Sequence, residues 1–148
     1  MATLHHQIKI NAPVEKIWDI LTDLEQVGNY NPLVSSVKYI SSNKEGVGAS
    51  RECSFKPKGA AKERVTAIEE LKSVSMEMYE SDWPLKYMRW TNSLSSDNGQ
   101  TVMDTKTEFK MKFGIIGSIM EALVMKAKFN KVLDELFVNL KEYAEKKL

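Results

Sequence analysis

Two histidines, one cysteine and one pair of opposite charges are the residues of this 148-residue chain whose types and spacing would carry chemistry. His5 and His6 are adjacent in an alternating stretch. Neighbours in a strand point to opposite faces, so the two do not act together on one site. His6 shares the inward phase of Leu4, Ile8 and Ile10. It reads as a core or edge histidine, with a ligand contact or general acid/base as the alternative. A zinc site takes three or four ligands from His, Cys and acids. His6 with Cys53 falls short of that, and neither metal nor cofactor is expected. Cys53 is in phase with Val47, Ala49, Arg51 and Phe55. A nucleophilic cysteine needs a neighbouring base and an electropositive setting. No histidine lies near it in sequence, so Cys53 reads as a small buried hydrophobe. No serine sits in a nucleophile elbow, and Gly46 and Gly48 are followed by neither a P-loop lysine nor dinucleotide spacing. No catalytic residue is assigned.

Arg51 and Glu63 are more informative. Folding the chain about the turn at Pro57 brings Arg51 opposite Glu63 or diagonal to it, a gap that long side chains bridge. Glu63 shares its phase with Ala61, Val65 and Ala67, the apolar side, while Lys62 and Arg64 take the other. Charges in an inward phase are expensive to bury and are usually paired. The pair is either a structural ion pair at a sheet rim or a polar anchor inside a cavity.

These residues need elements to position them. Thr3 to Asn11 alternates as a half-buried strand. Asn11-Ala12-Pro13 reads as a helix entry with Pro13 at the first helical position, and Val14, Ile17, Trp18 and Leu21 form the apolar face of a short helix. A second short helix is expected from Leu24 to Tyr30, ended by Asn31-Pro32. The period then becomes two, giving strands at about 34–42, 47–55, 60–70, 73–80, 86–95 and 101–112. Asn98-Gly99 is a strong hairpin signal, and six strands joined by short turns make an antiparallel meander. From Gly114 to Leu148 an apolar stripe runs at helical spacing. Ile115, Ile116, Ile119, Met120, Leu123 and Val124 open it, and Phe129, Leu133, Leu136, Phe137, Leu140 and Ala144 continue it. About thirty residues at ~1.5 Å each give a rod of roughly 45 Å. Such a stripe needs a broad sheet to cover it. The first half of the stripe is rotated against the second, so a bend or a change of packing partner is expected near Lys126 to Lys128.

Hydrophobic residues at 43% and charged residues at 28% are ordinary globular values, and one domain spanning 1–148 is expected. A net charge of +1 gives no electrostatic case for nucleic acid or an anionic membrane as the main partner. No stretch reads as a signal peptide or a membrane span, and one cysteine excludes an internal disulfide. The expectation is a cytoplasmic protein, monomeric or weakly dimeric.

The order of strand, two short helices, six strands and long helix resembles the START-like (SRPBCC) superfamily. The residues that carry the likeness are Ile10-Asn11-Ala12-Pro13-Val14-Glu15-Lys16-Ile17-Trp18, Tyr30-Asn31-Pro32, Gly46-Val47-Gly48-Ala49 opening the third strand, and Glu63-Arg64-Val65. That superfamily includes polyketide cyclases/dehydrases, lipid-transfer domains, the plant abscisic-acid receptors and the birch-pollen allergens. The resemblance implies an α+β helix-grip fold, a seven-stranded curved antiparallel sheet wrapped on a C-terminal helix, with a cavity for a hydrophobic small molecule between them. It further implies that Glu63 lies on the cavity wall. The family's other acidic cavity position falls at Thr107, a departure from the pattern. The expected lining is Arg51, Cys53, Phe55, Glu63, Met76, Met78, Met88, Trp90, Thr107, Phe109, Leu123 and Ala127. Eight methionines would suit an adaptable apolar pocket or a loosely specified core equally well. The leading expectation is binding of a hydrophobic or amphipathic lipid, polyketide or isoprenoid-like molecule without catalysis. A cyclase/dehydratase-type enzyme using His6, Glu63 and Arg51, or a protein-interaction module on the same fold, are the alternatives.

Overall fold

The computed structural model describes residues 1–146, so the last two residues of the expected helix lie outside them. Strand β1 (Ala2–Ile10) is followed by α1 (Val14–Thr22), a 3-10 turn (Leu24–Gln26) and α2 (Val27–Tyr30). Six strands follow: β2 (Val34–Tyr39), β3 (Ser50–Phe55), β4 (Ala60–Glu69), β5 (Ser73–Ser81), β6 (Leu85–Asp97) and β7 (Gln100–Met111). The chain ends in α3 (Gly114–Met120), a π-helical segment (Glu121–Met125) and α4 (Lys126–Lys146). The seven strands form one antiparallel sheet in the order β1-β7-β6-β5-β4-β3-β2. This is the α+β helix-grip architecture.

Local chemistry sets the joints. Asn98 and Gly99 both take positive φ, 53° and 83°, which matches the twist of a two-residue hairpin between β6 and β7. Pro13 takes an extended conformation at the N-cap, so α1 begins at Val14, one residue later than expected. The third strand begins at Ser50 rather than Val47. Gly46 and Gly48 hold φ of 80° and 92° in the loop before it, and Val47 points to solvent. Bulges at Val34/Ser36, Lys62/Glu63, Val65/Ala67 and Leu85/Tyr87 interrupt the register and bend the sheet. The one at Val65/Ala67 leaves Ala67 exposed although its phase in the sequence is inward.

Helix α4 lies against the inner face and buries Phe129, Phe137, Leu140 and Ala144. Phe129 meets Phe109 of β7 edge-on, with ring centroids 4.9 Å apart. Each large side chain removed from water there contributes ~1.5–3 kcal/mol. Polar ties hold the far end of α4: Lys141 Nζ donates to the Lys9 carbonyl at 3.0 Å, and Glu145 accepts from the Asn11 amide at 2.9 Å.

The expectation fails in the first half of the C-terminal stripe. Ile115, Ile116, Ile119, Leu123 and Val124 face solvent. The physical reason is the π segment. An i→i+5 turn takes one residue more than an α turn, so it adds to the rotation already present in the stripe and sends the two halves to opposite sides. The change of partner is real, and it falls at Glu121–Met125, just before the expected position.

Candidate ligand cavity

Between the sheet and α4 lies a cavity of about 840 Å³. That is at the upper end of the range that holds drug-sized ligands. Its walls come from Leu21 and Val27 of the helical layer, Phe55, Met78, Met88 and Trp90 of the sheet, and Phe129, Leu133, Leu136, Phe137 and Leu140 of α4. The exposed members of the lining, Lys56, Pro57, Lys58, Asp82, Pro84 and Lys128, mark the mouth. Phe55 and Trp83 stack beside it, with centroids 4.5 Å apart.

One end of the cavity is charged. Arg51 on β3 and Glu63 on β4 are direct register partners, and both are nearly fully buried. Arg51 Nε donates to Glu63 Oε1 at 2.8 Å, Nη2 stands 2.8 Å from the same oxygen in the ion pair, and Nη1 donates to the Leu24 carbonyl at 3.0 Å. The Leu24 amide in turn donates to the Tyr39 hydroxyl at 3.0 Å. The 3-10 turn therefore holds the guanidinium from one side while Glu63 holds it from the other. Burial is the largest single influence and works against the charge on Arg51, but Glu63 together with Cys53 and Tyr30 outweighs it and holds the guanidinium above its usual range. Glu63 Oε2 has no hydrogen-bond partner among the described residues. Cys53 is beside the pair, its Sγ 3.8 Å from Glu63 Oε1. Burial, reinforced by the Glu63 charge, pushes its thiol up to about 12, so it is neutral and a poor nucleophile at ordinary pH. Tyr30 completes this end. Burial raises its phenol, and the neighbouring Arg51 only partly offsets that.

The other end is polar and neutral. Asn92 on β6 and Thr105 on β7 are register partners, with Thr105 Oγ1 donating to Asn92 Oδ1 at 2.7 Å. The Asn92 amide nitrogen makes no hydrogen bond among the described residues. Thr107, opposite Trp90, buries its hydroxyl without a partner. Met78 and Met88 face each other across β5 and β6, between the two ends.

Of the residues expected to line a pocket, Arg51, Cys53, Phe55, Glu63, Met78, Met88, Trp90 and Thr107 are on this cavity's wall. Met76 and Phe109 are instead packed into the core, Met76 between Val65 and Trp90 and Phe109 against Phe129. Leu123 and Ala127 are exposed: Leu123 belongs to the outward face that the π segment sets off from α4, and Ala127, within α4, lies roughly 200° round the helix from the buried Phe129. His6 points at α4, its Nε2 3.3 Å from Asp134 Oδ1 without hydrogen-bond geometry and its ring 5.3 Å from that of Phe137. It does not reach the cavity lining. Sequence reasoning missed Tyr30, Trp83, Asn92 and Thr105. Asn92 and Thr105 carried a signal, since each is two residues from an inward position, Trp90 or Thr107. Trp83 sits in a connection and carried none.

The model of the family described as "Polyketide cyclase / dehydrase and lipid transport" matches residues 1–145. The chain belongs to this family. Solved structures agree on the superfamily's fold. A START superfamily protein from Mycobacterium smegmatis has a TM-score of 0.80 at 14% identity, over 99% of each chain. A Thermus thermophilus protein has a TM-score of 0.80 at 17% identity, also over 99% of each. Norcoclaurine synthase from Thalictrum flavum has a TM-score of 0.68 at 18% identity, over 96% of this chain and 85% of that one. At these identities the likeness shows the fold alone and carries no residue roles. A search of curated proteins gave no match.

Proposed function

We propose that this member of the family binds an elongated, largely apolar small molecule, without catalysis, and orients it by polar groups at its two ends. The observation that supports the reading is the ~840 Å³ apolar cavity with a buried Arg51–Glu63 pair on its wall, one oxygen of Glu63 being unpaired. Apolar walls give affinity without direction, and a few fixed polar groups supply the direction. Glu63 Oε2 would accept from a ligand hydroxyl or amine at one end. The Asn92 amide would donate to a carbonyl or ether oxygen at the other, and Thr107 would do so after rotation about χ1. Glu63 and Asn92 are two strands apart. At ~4.8 Å per strand, with an offset along them, the two ligand groups would be roughly 10–15 Å apart, about the length of four or more fused rings with a polar group at each end. Proton-transfer chemistry calls for a second acid/base group on the cavity wall. Burial keeps the protons on Cys53 and Tyr30, His6 lies outside, and the other titratable lining groups, Lys56, Lys58, Asp82 and Lys128, stand at the mouth, which supports binding over turnover.

Native mass spectrometry of the purified protein, followed by Trp90 fluorescence titration with hydroxylated polycyclic ketones and with long-chain hydrocarbons, tests the reading. Tighter binding of the ketones, lost in Arg51→Met/Glu63→Leu and weakened in Asn92→Leu, is the expected result. Equal affinity for both classes in wild type and variants would remove the orienting role. Absence of any mass adduct or fluorescence response would remove the binding reading itself.

A further inference from the structure

Helix α3 and the π segment are amphipathic the wrong way round for a surface helix. Their buried positions are Gly117 and Glu121, a hydrogen side chain and an acid. Gly117 sits so close to the Lys112 carbonyl that an added Cβ would come within 2.0 Å of that oxygen. Glu121 accepts the backbone N–H of Met111. Outward, over twelve residues, stand Phe113, Ile115, Ile116, Ile119, Leu123 and Val124, each from 54% to 82% exposed. The small and acidic residues fasten the helix down, and that fastening holds the large apolar ones in water.

Charge follows the same division. From Phe109 to Leu133 the charged residues are Lys110, Lys112, Lys126, Lys128 and Lys131, with Glu121 the one acid. Glu121 is buried, so every solvent-facing charge in this stretch is positive. The net charge of +1 for the chain conceals this local excess. Lys128 also lies at the cavity mouth, together with Lys56 and Lys58 of the β3–β4 turn. The acid there, Asp82, is occupied in accepting the Ala60 amide. Among the described residues no helix is long and apolar enough to cross a membrane.

We propose that the outward face of α3 and the π segment docks on a bilayer surface containing anionic phospholipid, with the cavity mouth beside the contact. A helix with an apolar face edged by lysines lies in the interfacial plane, its apolar side among the acyl chains and its ammonium groups at the phosphates. A second copy of the chain fits the patch less well, because a two-fold contact sets the same lysines against each other. The proposal stands independently of what occupies the cavity, since vesicle binding is read without any cavity ligand.

The test is co-sedimentation with vesicles of phosphatidylcholine alone and of phosphatidylcholine with phosphatidylserine, together with analytical ultracentrifugation of the free protein. Wild type is expected to pellet with the serine-containing vesicles and to be released by high salt. Lys112→Gln/Lys126→Gln should lower partitioning by roughly thirtyfold at low salt. Ile115→Ser/Ile116→Ser should lower it at least roughly tenfold, with the melting temperature kept. Failure to pellet with either vesicle, or pelleting unaffected by both double variants, overturns the proposal. So does a dimer that Ile115→Ser/Ile116→Ser dissociates, which would give the face to a second copy.

Discussion

The inner wall at β3–β4 and the outer face of α3 break the rule of apolar inside and charged outside in opposite senses, and they are built differently. Arg51 and Glu63 are charges in the interior, and the fold supplies their main partners: each other through Glu63 Oε1, and the Leu24 carbonyl for the guanidinium, with Glu63 Oε2 left open to the cavity. The isoleucines of α3 are apolar groups in water, and nothing covers them among the described residues. A buried charge must be answered within the fold, so its removal is felt by the fold. An exposed apolar side chain is answered by nothing inside, so its removal is felt only by whatever it meets outside. The two proposed roles would differ accordingly: entangled with stability at the first place, separable from it at the second.

The largest expected effect tests the first region. Glu63→Leu leaves Arg51 as an unpaired buried cation and should cost about 3–5 kcal/mol in denaturant unfolding. Arg51→Met/Glu63→Leu should recover most of that. A double variant as unstable as the single one would mean that the pair is not self-contained. Next comes the seam between the regions. Gly117→Ala forces a methyl group against the Lys112 carbonyl. It should cost about 1–3 kcal/mol and speed amide exchange throughout α3, and unchanged exchange would show that α3 is not seated by that contact.

A smaller effect is expected with pH. The folded state holds the Cys53 thiol neutral up to about 12, whereas the ordinary value is 9.0. Between these values the unfolded chain has lost the proton and the folded one has kept it, so stability falls as pH rises. Tyr30, raised by burial, acts in the same direction. Cys53→Ala should flatten the alkaline limb of a stability–pH curve without abolishing it, and an unaltered limb would contradict the burial of the thiol. The smallest effect belongs to the second region. Ile115→Ser or Ile116→Ser should change unfolding free energy by no more than about 0.5 kcal/mol. A loss of several times that would show that the face is covered after all.

Much of the fold was legible because the signals were periodic. Alternation placed all seven strands, Asn98-Gly99 marked the last hairpin, and Met88 and Trp90 were read as lining, although Asn92, in the same phase of β6, was passed over. Arg51 and Glu63 could be paired because strand register follows from one turn. The illegible parts share a cause: periodicity shows that a face is apolar and says nothing about what it faces. The stripe at Ile115–Val124 was as clear as that at Phe129–Ala144, yet one meets water and the other the sheet. Leu123 was misplaced for that reason, whereas Ala127 is off the α4 stripe altogether. Trp83 lies in a connection, where no period operates, and the glycine-rich loop before β3 carried alternation without being a strand.

The π segment between the two halves has a consequence in chain length. One residue more than an α turn requires is stored between Glu121 and Met125. Deleting Ala122, which is exposed, should convert that turn to plain α-helix and leave α3 facing as it does now. Keeping the residue while regularising the hydrogen bonds would instead swing the isoleucine face by roughly 100° about the helix axis. The direction in which this protein shows its apolar side is thus a matter of counting. Parity of one backbone position decides it together with the seat at Gly117 and Glu121, and a shortened variant with unchanged α3 exposure in hydrogen exchange would bear that out.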